Sequence, residues 1–232
     1  MKIFYISPHY DDAVGSCGAR MSREKMGNEV SLITVFSEVK KPFSEYANML
    51  HAYWNLNDPL SDRKNENINV CKFLGINNIM LGFLDSIYRT FDNEYIYPTQ
   101  ESIFSKVSPL DLGLIENIKN EILHYITKKD LIFFPLGVGS HVDHVIVSEV
   151  GKLLKKENYK VSFYLDFYYT GKLPEICELL NERKIRFDSN YTNEKINAVK
   201  LYKSQVQMLY GDESKIAEYY NNKLKGVEIY YE

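Results

Sequence analysis

The chain has 232 residues, of which 45% are hydrophobic and 25% are charged, and its 28 basic and 31 acidic residues leave a net charge of −3. This size suits one large α/β domain better than two small ones. The charge is nearly balanced and no basic patch stands out, which argues against nucleic acid as a partner. No segment approaches the length of a membrane span, and the apolar N-terminus is too short for a signal peptide. We therefore expect a cytoplasmic protein, and the sequence leaves open whether it forms a homo-oligomer.

The N-terminal part of the chain alternates between strand and helix patterns. Residues 2–7 are apolar and aromatic and predict a buried strand. Residues 13–27 predict a helix that ends near Gly27, and residues 29–36 predict a second buried strand, rich in β-branched side chains. A strand, a helix and a strand in this order predict a parallel sheet with a right-handed crossover.

The middle of the chain contains two long segments without a regular pattern, residues 37–60 and 86–110. Irregular segments of that length are usually functional. Both are rich in aromatic side chains, so we expect them to rim a substrate pocket. Between them, residues 61–76 predict a helix that stops at Gly75, and residues 78–85 predict a strand. The apolar face of that helix is expected to hold Ile68, Cys71 and Leu74.

The C-terminal half continues the alternation. In chain order it predicts a helix, a strand with a glycine-containing loop, a helix, a strand, further helical segments and a terminal strand, at residues 112–126, 130–140, 141–157, 160–169, 193–210 and 226–231. His124 is expected to pack from the first of these helices, and His51 is expected at the surface. No repeat or linker divides the chain, so we predict a single three-layer α/β/α domain over residues 1–232, with a mostly parallel sheet.

Polar side chains follow three of the predicted strands, at the point where each strand ends. In chain order they are His9, Asp11 and Asp12, then Asp85, and then His141, Asp143 and His144. Because ligands bind beyond the carboxyl ends of parallel strands, we expect these side chains to meet at one edge of the sheet.

These residue types match the ligand preferences of zinc. Zinc takes histidine nitrogen and carboxylate oxygen, and a catalytic site with three protein ligands keeps one position for water, whose pKa falls to about 7. A further carboxylate beside that water would act as general base, and a protonated imidazole would stabilise the developing oxyanion. An odd number of cysteines without short spacings argues against a disulfide framework and a cysteine zinc site; the three are Cys17, Cys71 and Cys177.

A purely local explanation of the same residues stays open at this stage. Asp11 and Asp12 open a helix, where carboxylates are favoured by capping and by the helix dipole. Ser140 and Asp143 fit the spacing of a capping box. Cys17 is expected to be part of the helix packing.

The stretches "SPHYDDAVGSCG" and "PLGVGSHVDH" resemble the two motifs of the PIG-L/LmbE-like N-acetylsugar deacetylases, P-H-x-D-D and H-x-D-H. The resemblance covers most of the chain, although Tyr10 and Ala13 replace the proline and glutamate of many members. It implies a Rossmann-like sheet and a zinc-dependent hydrolase. The zinc ligands that it implies are His9, Asp12 and His144. It further implies Asp11 as general base, His141 as acid or electrostatic partner of the carbonyl oxygen, and Asp143 as the residue that orients the histidine pair.

The resemblance also suggests residues that face the sugar. An R-x-x-E element of the family is matched by Arg63 and Glu66, and a strand end of the type "LG-aromatic-x-D" is matched by "LGFLD", which ends at Asp85. Arg89 follows in "SIYR" and is a further candidate.

The expected reaction is removal of acetyl from an N-acetylated amino sugar or its conjugate. Three alternatives remain: a deacylase of another amide, such as an acylated antibiotic or a lipid-linked sugar; a non-catalytic sugar-binding relative; and a nucleotide-dependent Rossmann enzyme. The last lacks support because no G-x-G-x-x-G follows the first strand. Zinc is the expected ion, although the same ligands accept other divalent metals.

Overall fold

A computed structural model describes residues 1–169 and 178–232, so Cys177 lies outside the described residues. The strands are β1 Lys2–Ser7, β2 Glu29–Glu38, β3 Asn77–Leu84, β4 Thr90–Phe91, β5 Glu94–Tyr95, β6 Leu131–Pro135, β7 Lys160–Tyr164, β8 Glu182–Arg186 and β9 Val227–Tyr231. The α-helices are α1 Asp12–Glu24, α2 Glu45–Tyr53, α3 Pro59–Leu74, α4 Gln100–Ile103, α5 Gly113–Leu123, α6 Val142–Lys156, α7 Ser189–Val199, α8 Lys203–Tyr210 and α9 Ser214–Glu218. Within these residues, no helix combines the length and the apolar composition needed to cross a membrane.

The main sheet has the strand order β3-β2-β1-β6-β7-β9-β8. The first five strands are parallel, β9 runs antiparallel to β7, and β8 runs antiparallel to β9. The apolar clusters on its two faces include buried side chains of α1, α3 and α7 on one side and of α5 and α6 on the other. The prediction of a three-layer α/β fold with a mostly parallel sheet is therefore confirmed.

The strands with continuous apolar sequence were predicted correctly because parallel strands are covered on both faces. In β1 the five residues from Ile3 to Ser7 are all buried. β8 escaped prediction because its sequence "ERKIR" is charged and mostly exposed, which is typical of an edge strand. The strand predicted over 160–169 ends at Tyr164, so the carboxylate of Asp166 stands beyond the strand.

α3 shows how the sequence sets the ends of a helix. The side chain of Asp58 accepts a hydrogen bond from the N–H of Leu60, Pro59 occupies the first turn, and Gly75 ends the helix in the left-handed conformation at φ 66°. The predicted apolar face was wrong at Ile68, which is 44% exposed, because Arg63 and Asn67 face inward instead.

Other predictions needed correction. The segments 37–60 and 86–110 are not wholly irregular, since they contain α2 and α4. The helical stretch 193–210 is two helices, because the chain turns at Tyr202, whose buried hydroxyl donates to the Asn67 side chain at 2.9 Å. His51, predicted at the surface, is buried, with Nε2 2.6 Å from the Tyr88 hydroxyl.

Two further predictions concern single side chains. His124, predicted to pack, follows the last turn of α5, and its side chain is 70% exposed. Cys17 is buried in the core and carries a free thiol, as does Cys71. The prediction of helix packing for Cys17 is confirmed.

Candidate active site

The candidate site lies where the winding of the sheet reverses. β1 and β6 are neighbours, but the chain continues from β1 to β2 on one side and from β6 to β7 on the other. The connections after two such strands diverge, which leaves a crevice beyond their carboxyl ends. The two sequence motifs follow these two strands, and for that reason they meet although more than 120 residues separate them.

Each motif includes the first residues of a helix, α1 for the first motif and α6 for the second. Asp11 precedes α1, but its side chain makes no capping hydrogen bond, and the Asp12 carboxylate instead accepts from the backbone N–H of His9 at 2.8 Å. The N-cap of α6 is His141, whose Nδ1 accepts from the backbone N–H of Asp143 at 3.3 Å. The capping box of Ser140 and Asp143, which the sequence left open as an alternative, does not form, because His141 is the N-cap.

The loop before α6 depends on a close approach that only glycine allows. Gly139 has φ 81°, and a Cβ atom there would lie 2.7 Å from the Cβ of Tyr169. The Tyr169 ring packs edge-on against His144, with ring centroids 4.5 Å apart. Tyr169 therefore contacts both the loop before α6 and the His144 ring.

His9, Asp12 and His144 form a buried cluster with the spacing of metal ligands. One ligand atom from each residue lies within 4.8 Å of the others. The Asp12 Oδ2 atom is 3.2 Å from His9 Nδ1 and 3.1 Å from His144 Nε2. Tetrahedral bonds of about 2.0–2.1 Å place two ligand atoms roughly 3.4 Å apart. The three side chains that the motifs indicated therefore converge as a divalent ion requires.

The outer nitrogen of each histidine is held by a buried carboxylate. His9 Nε2 is 3.0 Å from Asp143 Oδ2, and His144 Nδ1 is 2.5 Å from Asp166 Oδ1. His144 Nε2 is buried and lies 3.1 Å from Asp12 Oδ2, but the geometry of that contact is not that of a hydrogen bond. Carboxylates on the outer nitrogens fix the tautomer and orientation that metal-binding histidines need. The donor set thus fits a metal ion on an observation independent of ligand spacing.

Asp143 acts mainly on one histidine. Its carboxylate contacts His9 and accepts from the Ser86 N–H at 3.0 Å, and only its backbone N–H reaches His141. Arg89 Nη1 lies 2.6 Å from the second Asp143 oxygen, and Arg89 Nε donates to Asp111 at 2.9 Å. Arg89, expected to face the sugar, is instead a buried partner of these two carboxylates.

The electrostatics of the cluster favour positive charge. Burial alone would raise the pKa of Asp12, but His144 and His9 hold that pKa well below its usual value. Burial opposes protonation of His144, yet Asp12 and Asp166 raise its pKa to about 9. Burial opposes the protonation of His9 as well, and its carboxylate neighbours, Asp85 foremost, raise its pKa well above the usual value. Protonated imidazoles or a bound cation satisfy this field equally.

The surroundings of Asp11 and His141 disfavour the charged forms of both side chains. Burial and the adjacent Asp12 raise the pKa of Asp11 to about 6, although Arg63 opposes the shift. Arg63 Nη2 donates to one Asp11 oxygen at 2.9 Å. Burial and the nearby His9 lower the pKa of His141 well below its usual value. Asp11 is therefore a carboxylate that can exchange a proton near neutrality, and His141 is a neutral imidazole.

Comparison with known proteins agrees with this geometry. The family model of PIG-L, GlcNAc-PI de-N-acetylase, matches residues 4–154. That span begins in β1 and ends in α6, and it contains both motifs. The chain belongs to the PIG-L family.

Relatives of this PIG-L protein are deacetylases. The 2'-N-acetylparomamine deacetylase of Niallia circulans is 26% identical over 231 residues, which cover 90% of this chain and 82% of that protein. The structure of the zinc-inhibited form of teicoplanin deacetylase has a TM-score of 0.82 and 24% identity, covering 100% of this chain and 97% of that one. The A40926 pseudoaglycone deacetylase has a TM-score of 0.77 and 27% identity, covering 99% and 95%.

In this family member two residues of the cluster, His9 and Asp12, lie on the floor of a cavity of about 430 Å³. Charged or titratable side chains line the floor: His9, Asp11, Asp12, Arg63, Asp85 and His141. The walls come from α2, α4, α8 and the loop after β7. Both segments expected to rim the pocket do so, and α8 joins them unexpectedly.

Glu66 does not reach this cavity. Its two carboxylate oxygens accept hydrogen bonds from the N–H and the hydroxyl of Ser204 at 2.9 and 2.6 Å. Glu66 therefore anchors the first turn of α8 rather than facing the cavity as expected.

Sequence reasoning missed Asp166, Tyr168 and Tyr169. Asp166 also accepts from the backbone N–H groups of Gly137 and Val138, at 2.6 and 3.1 Å, so it holds the loop before α6 as well as His144. The signal was a carboxylate at a strand end, the same pattern that identified Asp85. It was hidden because the strand pattern was extended through residue 169.

Proposed function

We propose that this protein is a metal-dependent deacetylase that hydrolyses the N-acetyl amide of an amino sugar or its conjugate, giving a free amine and acetate. The observation that carries the proposal is the buried cluster of His9, Asp12 and His144, with both outer imidazole nitrogens on carboxylates, beside the separate carboxylate of Asp11. Family membership supports it, as does the Niallia circulans relative, a deacetylase of an N-acetylated substrate.

The metal would be held by His9 Nδ1, Asp12 Oδ2 and His144 Nε2. Zinc suits two imidazoles and one carboxylate, and other divalent ions accept the same set. A bound ion of this kind supplies Lewis acidity, which polarises the amide carbonyl and acidifies a neighbouring water molecule.

Asp11 is the proposed general base. One of its oxygens is held by Arg63, which fixes the orientation of the carboxylate and leaves the other oxygen for a proton. Asp11 accepts the proton that water loses when its oxygen adds to the carbonyl carbon. When the carbon–nitrogen bond breaks, Asp11 returns that proton to the leaving amine. Burial and the neighbouring Asp12 raise the pKa of Asp11 above its usual value, which favours both transfers because proton exchange is most efficient close to the working pH.

His141 is the proposed partner of the carbonyl oxygen. Its Nδ1 accepts a hydrogen bond from Asp143, so in the neutral ring the proton resides on Nε2. The low pKa of His141 favours this neutral form over the protonated imidazole expected from the sequence. A neutral N–H aimed at a developing oxyanion stabilises it without surrendering a proton.

Arg63 and Asp85 line the cavity and are the proposed polar contacts of the sugar. Asp85 also caps the turn Ser86–Tyr88, accepting from the N–H of Ile87 at 3.2 Å. Its position is therefore set by the backbone, which suits a residue that orients hydroxyl groups.

The test measures metal content together with release of amine and acetate from N-acetylglucosaminides. The wild type is expected to hold about one ion per chain and to release the two products in equal amounts. Asp11→Asn is expected to keep the ion and to lose about 10²- to 10⁴-fold in rate. His144→Ala is expected to lose the ion.

Asp130→Asn is the matched control, because Asp130 is a buried carboxylate at the other end of β6 that accepts from Thr127. It should retain both metal and activity. A metal-loaded Asp11→Asn variant with full activity would refute the mechanism, and an absence of amine from every substrate would refute the function.

A further inference from the structure

The mouth of the cavity carries an unusual number of exposed apolar side chains. Met49, Tyr53, Phe104 and Met208 are 56%, 52%, 38% and 41% exposed, and all four line the cavity. Exposed apolar side chains scattered singly need no explanation, whereas a group that surrounds one opening marks a binding surface. We call these four residues the apolar wall.

The apolar wall is continuous with the catalytic floor. Its helices α2 and α8 meet where Trp54 Nε1 lies 3.4 Å from the sulfur of Met208. The Trp54 ring in turn covers the guanidinium of Arg63, with 5.0 Å between the Arg63 carbon Cζ and the ring centroid. Arg63 holds Asp11. A group lying on the wall would therefore extend directly from a sugar whose acetamide reaches Asp11.

The charges of the described lining residues are confined to the floor, where they are already paired. Asp11 pairs with Arg63, Asp12 lies between His9 and His144, and Asp85 accepts from backbone N–H. The polar side chains of the walls include the uncharged amides of Gln100 and Gln205. Among the described residues, the wall offers no carboxylate to an ammonium group. A cationic aglycone would lose its hydration there, and the described residues of the wall offer no charged partner in return.

We propose that the substrate is an N-acetyl amino sugar linked to an uncharged apolar group, alkyl or aryl, which lies on the apolar wall while the acetamide reaches the floor. This inference rests on the proposed deacetylase function. The volume of about 430 Å³ falls in the range of roughly 300–1,000 Å³ that holds drug-sized ligands. Methionine and tyrosine are suited to such a group, because thioethers adapt to irregular shapes and aromatic rings present flat apolar faces.

The test compares kcat/KM for amine release from N-acetylglucosaminides with methyl, octyl, phenyl and aminoalkyl aglycones. The octyl and phenyl compounds are expected to exceed the methyl compound by about tenfold or more, which is the effect of placing several apolar carbons in a fitting site. The cationic aminoalkyl compound should show no such gain. In the double variant Met49→Ser, Met208→Ser, the ratio of octyl to methyl should fall towards one.

Met26→Ser is the matched control, because Met26 is 77% exposed and does not line the cavity, and it should keep the wild-type ratio. Calorimetric binding of octyl and methyl glucosaminide is measured in parallel. Tighter octyl binding without any amine release would refute the deacetylase function and support the proposed role of the apolar wall in binding the aglycone. Equal amine release from all four glycosides would support the deacetylase function and refute the proposed role of the apolar wall in binding the aglycone. The double variant could also keep the wild-type ratio of octyl to methyl while its oligomeric state, measured by light scattering, changes. That result would refute the aglycone-binding role and show that the apolar wall binds a second copy of the chain.

Discussion

At the scale of single residues, Asp166 shows how much of the site depends on a side chain outside both motifs. It is 2% exposed, and its two oxygens serve different partners, His144 on one side and two backbone N–H groups of the loop before α6 on the other. The loop and the histidine ring are thus oriented by one carboxylate. A ring fixed in this way presents Nε2 to a metal without a further loss of side-chain entropy.

Asp166→Asn is therefore expected to weaken metal binding by about 10- to 100-fold, because the amide cannot replace the charge that supports the His144 ring. Competition of the purified variant with a chromophoric chelator measures this directly. Asp130→Asn again serves as the control and should bind the ion as tightly as the wild type. Unchanged affinity in Asp166→Asn would show that His144 does not bind the metal through Nε2.

Arg89, which its position in the sequence placed at the sugar, is instead paired inside the protein. Its guanidinium is 5.1 Å from the ring centroid of Phe36 and 5.3 Å from that of Tyr97, and it bridges Asp143 and Asp111. The charge of this buried arginine is thus paired with two carboxylates of the protein. Its contact with the proposed metal centre runs through Asp143, which holds His9.

At the scale of elements, α1 carries Asp12 in its first turn and is tied to the rest of the fold one turn later. The Ser16 carbonyl accepts from Lys195 Nζ at 3.2 Å, and the Glu228 carboxylate accepts from the N–H groups of Ala19 and Arg20 at 3.0 and 3.3 Å. Lys195 and Glu228 are themselves 2.9 Å apart and almost fully buried. A buried ion pair thus connects α1 with α7 and β9.

Lys195→Met is expected to lower the free energy of unfolding by about 3–5 kcal/mol, because it leaves the Glu228 charge buried without its partner. Urea denaturation measures the change. The double variant Lys195→Met, Glu228→Gln should recover part of the loss, since both charges are then gone. Lys2→Met removes an exposed partner of Glu29 and should have a much smaller effect. Equal effects of the two lysine variants would contradict this account of α1.

At the scale of the whole molecule, the proposed ligands come from separate parts of one sheet. His9 follows β1, Asp12 begins α1, and His144 lies in α6 after β6, while Asp166 follows β7. A metal ion bound by His9, Asp12 and His144 would connect the segment after β1 with the segment after β6. Such an ion stabilises the folded chain by mass action, because the unfolded chain does not bring the ligands together.

Removal of the ion is therefore expected to lower the melting temperature. With the free ion at 100 times its Kd, binding contributes about 2.7 kcal/mol. For a chain of this size that corresponds to roughly 5 to 10 °C, which is measured by melting the protein with and without a chelator. His144→Ala should melt at one temperature under both conditions. A wild-type melting temperature that does not respond to chelation and zinc addition would argue against a metal site in this cluster.

The single domain over residues 1–232 and the cytoplasmic location remain predictions. The sequence by itself predicted the parallel core of the sheet and the edge at which the two motifs meet, and its resemblance to the family indicated the family and the three proposed metal ligands. These features are local: continuous apolar runs form buried strands, and motifs at strand ends must lie at one edge of a parallel sheet. His9, Asp12 and His144 converge because each directly follows a strand or begins a helix, which leaves them little freedom of position.

Only the tertiary structure decided which distant side chains complete the site. Asp166 follows a strand, Arg89 follows a short turn and Glu66 lies in the middle of α3. The local sequence around each one does not show that Asp166 contacts His144, that Arg89 pairs with buried carboxylates or that Glu66 anchors α8. The apolar wall likewise joins α2, α4 and α8, which are far apart in the chain. Contacts between distant residues depend on how helices pack over the sheet, and local sequence patterns do not predict that packing.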